Sequence, residues 1–363
     1  MKIVINAIIA FEQPRGVGRY LNDMLPALAE IDHENQYYIY YGKWMKQYSF
    51  LSITQNNFHF IELDIYNNQI IRNFYISMIL PIKASTNKPD LFFYPDTQAI
   101  IVRYKRIVST IHDIAEYAFP EKYSIVQRLA RRIIVKHQAR ISKCIITDSY
   151  FSKQDIVNRF HISADKVNVI YLATNLSCDY ELVSPKKYFL FVSESEKAKN
   201  LIELIDAFDS LPDELRDEFE IKVVGKKGND YENIITRIKQ LGLEKKVSFF
   251  GYVSDVELSR LYKEAYAFVF PSYFEGFGLP VLEAMSKGTP VLCSDRSSIP
   301  EVGGDAVLTF SPYDYRELRD QIVKIANDES LRNEMIERGY ERVKKFSYKK
   351  TAEETLRQFE MSI

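Results

Sequence analysis

Short apolar runs alternate along the chain with segments of helical periodicity. The runs are rich in Val, Ile, Phe and Tyr and predict strands, whereas apolar residues three or four positions apart predict amphipathic helices between them. In the first half the predicted strands lie near residues 2–9, 37–42, 57–63, 106–111, 144–148 and 167–170. In the second half they lie at 188–192, 220–224, 247–250, 267–270 and 291–294, around helices near 200–210, 230–241, 255–263 and 280–287. This alternation predicts the α/β class, with a parallel sheet in each half.

Two sheets in 363 residues predict two domains. The polar segment 177–187 separates the last strand of the first half from the next apolar run, so we expect domains over residues 1–180 and 181–345. Beyond Pro312 the pattern is helical to the end, at 317–326, 331–345 and 348–361. The last helix, within 346–363, is long enough to pack back on the first domain.

The composition narrows the class of protein. With 46% apolar and 27% charged residues, 13 Gly and 13 Pro, the chain is neither intrinsically disordered nor fibrous. No run of about 18 apolar residues predicts a membrane-spanning helix. The apolar run at residues 3–11 contains Asn6 and is followed by Glu12, so it is predicted to be a strand and not a signal sequence. Three widely separated cysteines suit reduced thiols and a cytoplasmic location.

The two halves have opposite net charge. The totals are 48 Lys and Arg against 49 Asp and Glu, yet residues 1–182 have a net charge of +4 and the remainder −5. The overall balance argues against nucleic acid as a partner. Four basic residues recur on one face of a predicted helix, namely Arg128, Arg132, Lys136 and Arg140. Two interpretations stay open for this face: simple solvation, or binding of an anionic membrane or phosphate-bearing acceptor, with peripheral attachment at the inner face of the membrane. The apolar segment 70–80 is either core or part of the same surface.

Segment 271–290 contains the clearest candidate chemistry. It is predicted as a loop and a short helix between two strands, with Glu275 in the loop and Glu283 on the helix. Gly276 and Gly278 allow the backbone to approach a ligand, and the free N–H groups at the start of the helix favour a phosphate or pyrophosphate. Carboxylates beside such an anion site suit the binding of sugar or ribose hydroxyls.

Glu275 and Glu283, with seven residues between them, resemble the E-x7-E motif of the family 4 retaining glycosyltransferases. Further motifs of that family follow in order, at Gly16-Val-Gly18-Arg-Tyr, Ile111-His112-Asp113, Thr147-Asp-Ser-Tyr-Phe-Ser, Lys199-Asn200, Phe250-Gly251-Tyr-Val253-Ser-Asp255 and Ile299-Pro-Glu301-Val-Gly-Gly-Asp305. The resemblance implies the GT-B fold, in which two Rossmann-like parallel-sheet domains face a central cleft. It also implies that the second domain binds most of the donor and the first domain binds the acceptor.

The resemblance further implies roles for individual residues. His112, Lys199 and Glu275 are the expected catalytic residues: His112 would hydrogen-bond the transferred sugar or order the reacting groups, Lys199 would neutralise the leaving diphosphate, and Glu275 would hold the donor sugar. Glu283 is expected to bind the ribose. The other expected donor contacts are Gly16, Gly18, Asn200, Gly251, Val253, Gly276, Phe277, Gly278 and Leu279.

Several other chemistries lack their motifs. Leu21 stands where the dinucleotide fingerprint needs its third glycine, so a nicotinamide enzyme is not expected. The sequence has no Asp-x-Asp, His-Glu-x-x-His, Cys-x-x-Cys or Walker motif, so we expect neither a metal nor a cofactor besides the donor substrate. Lys199, the main-chain N–H groups of Gly278 and Leu279, and the helix dipole would then meet the charge of the leaving diphosphate.

Segment 193–199 departs from the family pattern. It has Ser where a glycine is usual, and Glu194 or Ala198 where an arginine often lies. An acidic residue near a diphosphate is unfavourable, so two outcomes stay open: Lys197 and Lys199 compensate, or donor binding and activity are reduced.

The resemblance implies a retaining glycosyltransferase, and the missing metal motifs make a metal-independent one the expectation. It would move a hexose to a hydroxyl of a glycan or lipid-linked saccharide in cell-surface polysaccharide biosynthesis. The His-Asp strand end and the Gly-Val-Gly-Arg-Tyr turn resemble those of mannosyltransferases that use GDP-mannose, which favours mannose and leaves UDP-sugars open. Two alternatives belong to other classes: a non-catalytic partner subunit that binds nucleotide or glycan, and a sugar-nucleotide epimerase or phosphorylase on the same fold.

Overall fold

The computed structural model describes residues 1–12, 16–101, 104–176, 178 and 183–363. It divides the chain into one compact unit of Met1–Ala173 with Ser347–Ile363, and a second of Thr174–Phe346. These divisions lie close to the predicted boundaries at 180 and 345, although part of the predicted join lies outside the described residues. Each unit contains a parallel sheet flanked by helices, which confirms the α/β class.

The first unit is built around a seven-stranded sheet of described residues. Its strands are β1 (Lys2–Asn6), β2 (Gln36–Gly42), β3 (Phe58–Leu63), β4 (Leu91–Tyr94), β5 (Ile107–Thr110), β6 (Cys144–Thr147) and β7 (Val167–Val169). They lie in the order β3-β2-β1-β4-β5-β6-β7, and each neighbouring pair is parallel. The chain order therefore reverses beside β1, and such a switch point is where α/β sheets bind ligands.

The helices of this unit are α1 (Val17–Ile31), α2 (Gln69–Phe74), α3 (Leu80–Ser85), α4 (Ala115–Ala118), α5 (Ile125–Ile141), α6 (Tyr150–Phe160) and α15 (Tyr348–Met361). The C-terminal helix α15 packs on the first sheet, where the rings of Phe359 and Phe93 meet edge-on at 5.0 Å. Its end is fixed by Lys143, whose Nζ donates to the Ser362 carbonyl at 2.8 Å.

Two local differences from the predicted strands have physical causes. Strand β1 ends at Asn6 and not at residue 9, because the Asn6 side chain accepts the Ile8 N–H at 3.2 Å and turns the chain. Strand β4 was not predicted. Its four residues are all buried, so they show no alternation, and a proline lies close to each end.

The second unit has a six-stranded sheet of described residues. Its strands are β8 (Tyr188–Val192), β9 (Glu220–Val224), β10 (Val247–Gly251), β11 (Ala267–Phe270), β12 (Val291–Ser294) and β13 (Val307–Phe310). The helices are α7 (Leu201–Asp209), α8 (Asp213–Glu218), α9 (Tyr231–Gln240), α10 (Asp255–Glu264), α11 (Leu279–Ser286), α12 (Ile299–Gly303), α13 (Tyr315–Asn327) and α14 (Glu329–Val343). Strand β13 was not predicted. The four helices predicted between residues 200 and 287 begin and end within about one residue of α7, α9, α10 and α11.

The strand order β10-β9-β8-β11-β12-β13 places the switch point of the second sheet between β8 and β11. Both strands are almost fully buried, since Phe189, Leu190, Phe268 and Val269 have no exposed surface. The loops that follow them therefore start from rigid positions at one edge of the sheet. These loops contain Lys199 and Glu275, the two residues expected to contact the donor most closely.

The apolar segment around residues 70–80 is divided between core and surface. Tyr75, Ile76 and Leu80 are buried, whereas Ile70 and Phe74 are exposed. Among the residues that the structure describes, no helix is both long enough and apolar enough to span a bilayer.

Candidate active site

Lys199 and Glu275 lie in direct contact at the switch point of the second sheet. The Lys199 Nζ is 2.6 Å from Glu275 Oε1, and the Ser272 hydroxyl donates to the same oxygen at 2.6 Å. Both charged side chains are largely buried, with 20% and 13% of their surfaces exposed. A half-buried ion pair of this kind is held by its hydrogen bonds and not by long-range attraction alone. The two residues thus form one ion pair.

The loop around Glu275 is fixed by two serines that follow β12. The Glu275 N–H donates to Ser297 Oγ at 3.0 Å, and the Ser298 hydroxyl contacts the Glu275 carbonyl at 2.9 Å and that of Phe277 at 2.8 Å. Gly278 then has a φ of +112°, a left-handed conformation that glycine tolerates, and α11 begins at Leu279. The loop is therefore rigid and leads directly into the helix start that was expected to meet a phosphate.

Glu283 on α11 is buried and held by a tyrosine. Only 3% of its surface is exposed, and its Oε2 accepts the Tyr262 hydroxyl at 3.0 Å. Tyr262 lies on α10, which packs beside α11. The Tyr262 hydroxyl therefore orients the carboxylate that is expected to bind ribose.

Two expected donor contacts have structural partners here. The Asn200 side chain donates to the Pro312 carbonyl at 2.9 Å, and its backbone has a left-handed φ of +54° at the start of α7. Phe277 is 4% exposed and its ring meets Phe346 edge-on at 6.0 Å. Both side chains contact the protein itself and fix the conformation of their loops. A ligand would therefore meet the main-chain groups of Asn200 and Phe277.

The loops after β8, β9 and β10, which contain two of the expected donor contacts, lie close together. Gly251 ends β10 with a φ of +66° and its carbonyl accepts the Gly225 N–H at 2.8 Å. A Cβ on Gly225 would lie 1.9 Å from the Ser193 carbonyl oxygen, so these loops approach each other as closely as glycine allows. Val253, two residues beyond Gly251, is half-buried.

The structure places Glu194, the departing residue, at the surface. Glu194 is exposed, and the neighbouring Ser195 N–H donates to the Lys226 carbonyl at 3.0 Å. The backbone at Lys226 therefore lies beside the segment that lacks an arginine. Because solvent reaches Glu194, its charge is screened.

In the first unit, His112 follows β5 and contacts Asp148, which follows the neighbouring strand β6. The His112 Nδ1 is 2.7 Å from Asp148 Oδ2, and its Nε2 is 3.1 Å from the Pro95 carbonyl. Asp148 lies in the motif Thr147-Asp-Ser-Tyr-Phe-Ser, but no role was predicted for it. The signal was present, because residues that directly follow adjacent parallel strands meet at one edge of the sheet.

The His112 ring is held in its protonated form. Both of its nitrogens face acceptors, which requires a donor at each position. Burial alone would lower the pKa of His112, but the charges of Asp148, Asp96 and Asp113 outweigh it and raise the pKa to about 9. With both nitrogens engaged, His112 can donate to a sugar only if Nε2 leaves Pro95.

The two glycines of the first turn differ in role. Gly16 precedes α1 with a φ of +49°, and nothing lies within 4 Å of the position a Cβ would take. A Cβ on Gly18, in contrast, would lie 2.5 Å from the Tyr48 hydroxyl. Gly16 thus leaves open space, whereas Gly18 allows close packing of α1. Residues 13–15, just before them, lie outside the described residues.

The basic face expected on α5 is only partly free. Arg132 donates through Nε to the Glu116 carbonyl at 3.1 Å, and its guanidinium lies 4.6 Å from the Tyr117 ring centroid. Arg128 is half-buried, whereas Lys136 and Arg140 are exposed. The four basic side chains therefore differ in exposure, and Arg132 contacts the protein itself. Across the described residues, no group of three or more His, Cys, Asp or Glu side chains is arranged to hold a metal ion.

Comparisons with known proteins cover most of the chain. The family model "Glycosyltransferase Family 4" matches residues 14–177, and "Glycosyl transferases group 1" matches residues 176–342. The chain is 33% identical to O-antigen chain mannosyltransferase B of Escherichia coli over 276 residues, which are 71% of this chain and 71% of that protein. It is 32% identical to the O-antigen chain mannosyltransferase RfbU of Salmonella typhimurium over 216 residues, 60% of each chain.

Solved structures share the fold over nearly the entire length. Sucrose-phosphate synthase from Thermosynechococcus elongatus matches with a TM-score of 0.77 and 20% identity, covering 99% of this chain and 98% of that one. HepE of Anabaena, in complex with UDP, matches with a TM-score of 0.71 and 17% identity, covering 99% and 100%. The matches in both units and the identity to O-antigen chain mannosyltransferase B show that the chain belongs to the family 4 glycosyltransferases.

Proposed function

We propose that this glycosyltransferase moves mannose from GDP-mannose to a hydroxyl of a glycan or lipid-linked saccharide, with retention of anomeric configuration and without a metal. The observation behind the proposal is the contact between Lys199 and Glu275 at the switch point of the second sheet, next to the start of α11. This arrangement provides a cation for a diphosphate and a carboxylate for sugar hydroxyls within one small space.

Donor binding would separate the pair. The diphosphate offers Lys199 more negative charge than one carboxylate does, so the ammonium would move to the phosphates. Glu275, released from Lys199, would accept hydrogen bonds from the hydroxyls of the sugar. Glu283, oriented by Tyr262, would accept those of the ribose. Each predicted contact then uses a group that the structure already holds in a defined position.

Retention needs no enzymatic nucleophile in this proposal. The bond between the anomeric carbon and the phosphate oxygen breaks first, which leaves an oxocarbenium-like sugar. The acceptor oxygen attacks from the face that the phosphate leaves, and the departing phosphate takes the acceptor proton. Lys199, the N–H groups at the start of α11 and its dipole would stabilise the negative charge on the leaving group.

The choice of mannose rests on relatives. Both named O-antigen enzymes are mannosyltransferases, and the chain is about one-third identical to each. The same names suggest an acceptor in cell-surface polysaccharide synthesis. His112 would hydrogen-bond the transferred sugar or order the reacting groups, and its contact with Asp148 would fix the ring at the carboxyl edge of the first sheet.

We also propose that the first unit binds the surface of an anionic membrane, where a lipid-linked acceptor would lie. Four apolar residues of α5 are between 53% and 77% exposed, namely Ile125, Val126, Leu129 and Ile133. On the same helix Lys136 and Arg140 are exposed as well. Apolar side chains beside basic ones are typical of helices that lie in the membrane interface.

Neighbouring segments extend this apolar surface. His137 of α5 donates to the Ile100 carbonyl at 3.1 Å, and Ser77 donates to the Ala99 carbonyl, so the segment at 99–101 joins α5 to the region of α2 and α3. Exposed apolar residues continue there at Ile70, Phe74, Ile82 and Ile101. Partition into vesicles of neutral and anionic lipid tests this part of the proposal.

The transfer proposal is tested with the full chain and a panel of GDP-mannose, UDP-glucose, UDP-galactose and UDP-N-acetylglucosamine, with a lipid-linked saccharide extract as acceptor. We expect release of GDP, an α-linked product by NMR, and unchanged rates with EDTA. Glu275→Ala should abolish release, whereas Glu337→Ala, at an exposed position, should not. Nucleotide binding without turnover would favour a partner subunit, and donor conversion without acceptor would favour an epimerase; either result refutes the transfer.

A further inference from the structure

Two tyrosines and an arginine form an exposed aromatic surface on the second unit. The rings of Tyr273 and Tyr313 stack with centroids 5.1 Å apart and planes 28° from parallel. The Arg296 guanidinium lies 5.4 Å from the Tyr313 ring centroid. Tyr313 is nevertheless 66% exposed. We call these three residues the tyrosine platform.

The platform is fixed to the loops that hold Lys199 and Glu275. The Tyr273 N–H donates to the carbonyl of Ala198, the residue before Lys199, at 2.9 Å. The Pro312 carbonyl, just before Tyr313, accepts the side chain of Asn200 at 2.9 Å. Ser297, next to Arg296, accepts the Glu275 N–H. Each member of the platform therefore lies within one or two residues of a hydrogen bond to the loop of Lys199 or of Glu275.

The strand order separates the platform from two of the expected donor contacts. Gly251 and Val253 follow β10, which lies at one edge of the sheet. The three members of the platform follow β11, β12 and β13, on the other side of the switch point. Glu275, the residue expected to hold the donor sugar, is two residues from Tyr273, so a sugar bound by Glu275 would lie beside the platform.

The side chains of this surface suit a saccharide. The flat face of an exposed tyrosine packs against the C–H face of a pyranose, while charged groups at its rim bind the hydroxyls. The rim is charged here: Arg296 lies 3.2 Å from the Asp295 carboxylate, and Asp314 follows Tyr313 in the chain. An exposed aromatic surface next to a catalytic site is commonly a binding surface.

We propose that the tyrosine platform is a saccharide subsite that binds the acceptor glycan beyond the residue that receives the sugar. This inference rests on the proposed transfer reaction and deepens it. The platform would make the enzyme favour an acceptor of several sugar units over a single sugar, because only a longer acceptor has further sugar units that could bind Tyr313.

The test measures binding of methyl α-mannoside, α-mannotriose, maltotriose and chitotriose to the full chain saturated with GDP, by saturation-transfer NMR and calorimetry. We expect a trisaccharide to bind more tightly than methyl α-mannoside. Tyr313→Ala should weaken trisaccharide binding about tenfold and leave the affinity for methyl α-mannoside and GDP unchanged. Tyr313→Phe should retain trisaccharide binding. Tyr66→Ala, at a 76% exposed tyrosine of the first unit, is the matched control.

Three results would overturn the subsite. In the first, the wild-type protein binds no trisaccharide better than methyl α-mannoside. In the second, the Tyr313→Ala variant binds trisaccharides as well as the wild type does. In the third, the Tyr313→Ala variant no longer binds GDP, which would make the platform a nucleobase site. Failure of the transfer proposal is distinguishable. In that case no nucleotide sugar turns over, while trisaccharide binding still depends on Tyr313. A thermal melt of each variant checks that the second unit is folded.

Discussion

The ammonium of Lys199 and the carboxylate of Glu275 are 2.6 Å apart, although 76 residues separate them in the chain. Each is expected to contact a different part of the donor, yet without the donor they neutralise each other. The pair keeps two charged groups satisfied in a half-buried site. A diphosphate must therefore compete with Glu275 for Lys199.

This competition gives Glu275→Gln two opposite effects. Transfer should fall at least about 100-fold, because a neutral amide holds the sugar and the developing charge less well. Binding of GDP alone should become about tenfold tighter, roughly 1.4 kcal/mol, since Lys199 no longer has a competing carboxylate. Turnover assays and calorimetry with GDP measure the two effects separately.

Lys199→Met is the contrasting variant, and it should weaken both GDP binding and transfer. If Glu275→Gln also weakened GDP binding, the carboxylate would be part of the diphosphate site and not its competitor. A thermal melt with each variant separates loss of binding from loss of folding.

A second prediction concerns the hydroxyl of Tyr262, which orients Glu283. Tyr262→Phe keeps the buried ring but removes the hydrogen bond to Glu283 Oε2. We expect the KM for the donor to rise about fivefold with kcat nearly unchanged, which is the scale of one hydrogen bond. Tyr188→Phe is the matched control, because its buried hydroxyl donates to the Leu261 carbonyl at 2.7 Å and not to a carboxylate. An equal rise in KM for both variants would show that the Tyr262 hydroxyl does not position Glu283.

The sequence was sufficient for most of the strands because their residues are apolar and bounded by turns. Strand β8, with four of its five residues buried, is recognisable from Tyr-Phe-Leu-Phe-Val alone. Strand β4 was missed because a proline lies close to each of its ends, and β13 because its short apolar run is interrupted by the exposed Thr309. The ends of α11 were close to the prediction because Gly278 and Gly288 mark them chemically.

The site residues were recognisable by type, whereas their partners were not. Nothing local to Lys199 indicates that it contacts Glu275, because that contact depends on the pairing of β8 with β11. Asn200 and Phe277 match donor motifs, but their side chains contact the protein itself. Such partners depend on loop conformation, which the residue pattern does not encode.

The stability of the first unit should depend on pH through His112. Its pKa in the folded protein, about 9, exceeds the ordinary value of 6.5, because the charge of Asp148 outweighs the effect of burial. The protonated ring therefore stabilises the fold fully below pH 6.5, and this contribution is lost as the pH rises through 9. We expect the difference in unfolding free energy between wild type and His112→Gln to shrink by about 3 kcal/mol between pH 6 and pH 10. His33→Gln, at an exposed histidine, is the control. A difference that does not change with pH for His112→Gln would mean a neutral ring.

Glu203 on α7 should give a pH dependence in the second unit. Burial, with the nearby charges of Asp206 and Asp314, raises the pKa of Glu203 from 4.5 to about 7. Its ionisation therefore destabilises the fold as the pH rises from 4.5 through 7. Glu203→Gln should raise the Tm by about 3 °C at pH 8 and have little effect at pH 4.5. Glu232→Gln, at an exposed glutamate, should do neither. A Tm that rises equally at both pH values would assign the effect to packing.

The membrane proposal predicts that apolar and basic residues of α5 contribute separately to vesicle binding. Leu129→Asp with Ile133→Asp should reduce partition to every vesicle type about tenfold or more, because both side chains are exposed and would insert. Lys136→Gln with Arg140→Gln should reduce partition only to anionic vesicles, and by less at high salt, because these charges act over a Debye length. Val256→Asp, at an 82% exposed valine of the second unit, is the control for adding a charge at an apolar surface. Since all these positions are exposed on the surface, the Tm should not change.

Equal partition of the wild-type protein with neutral and anionic vesicles at low salt would exclude the basic contribution. Wild-type partition by the Leu129→Asp, Ile133→Asp variant would show that α5 faces water.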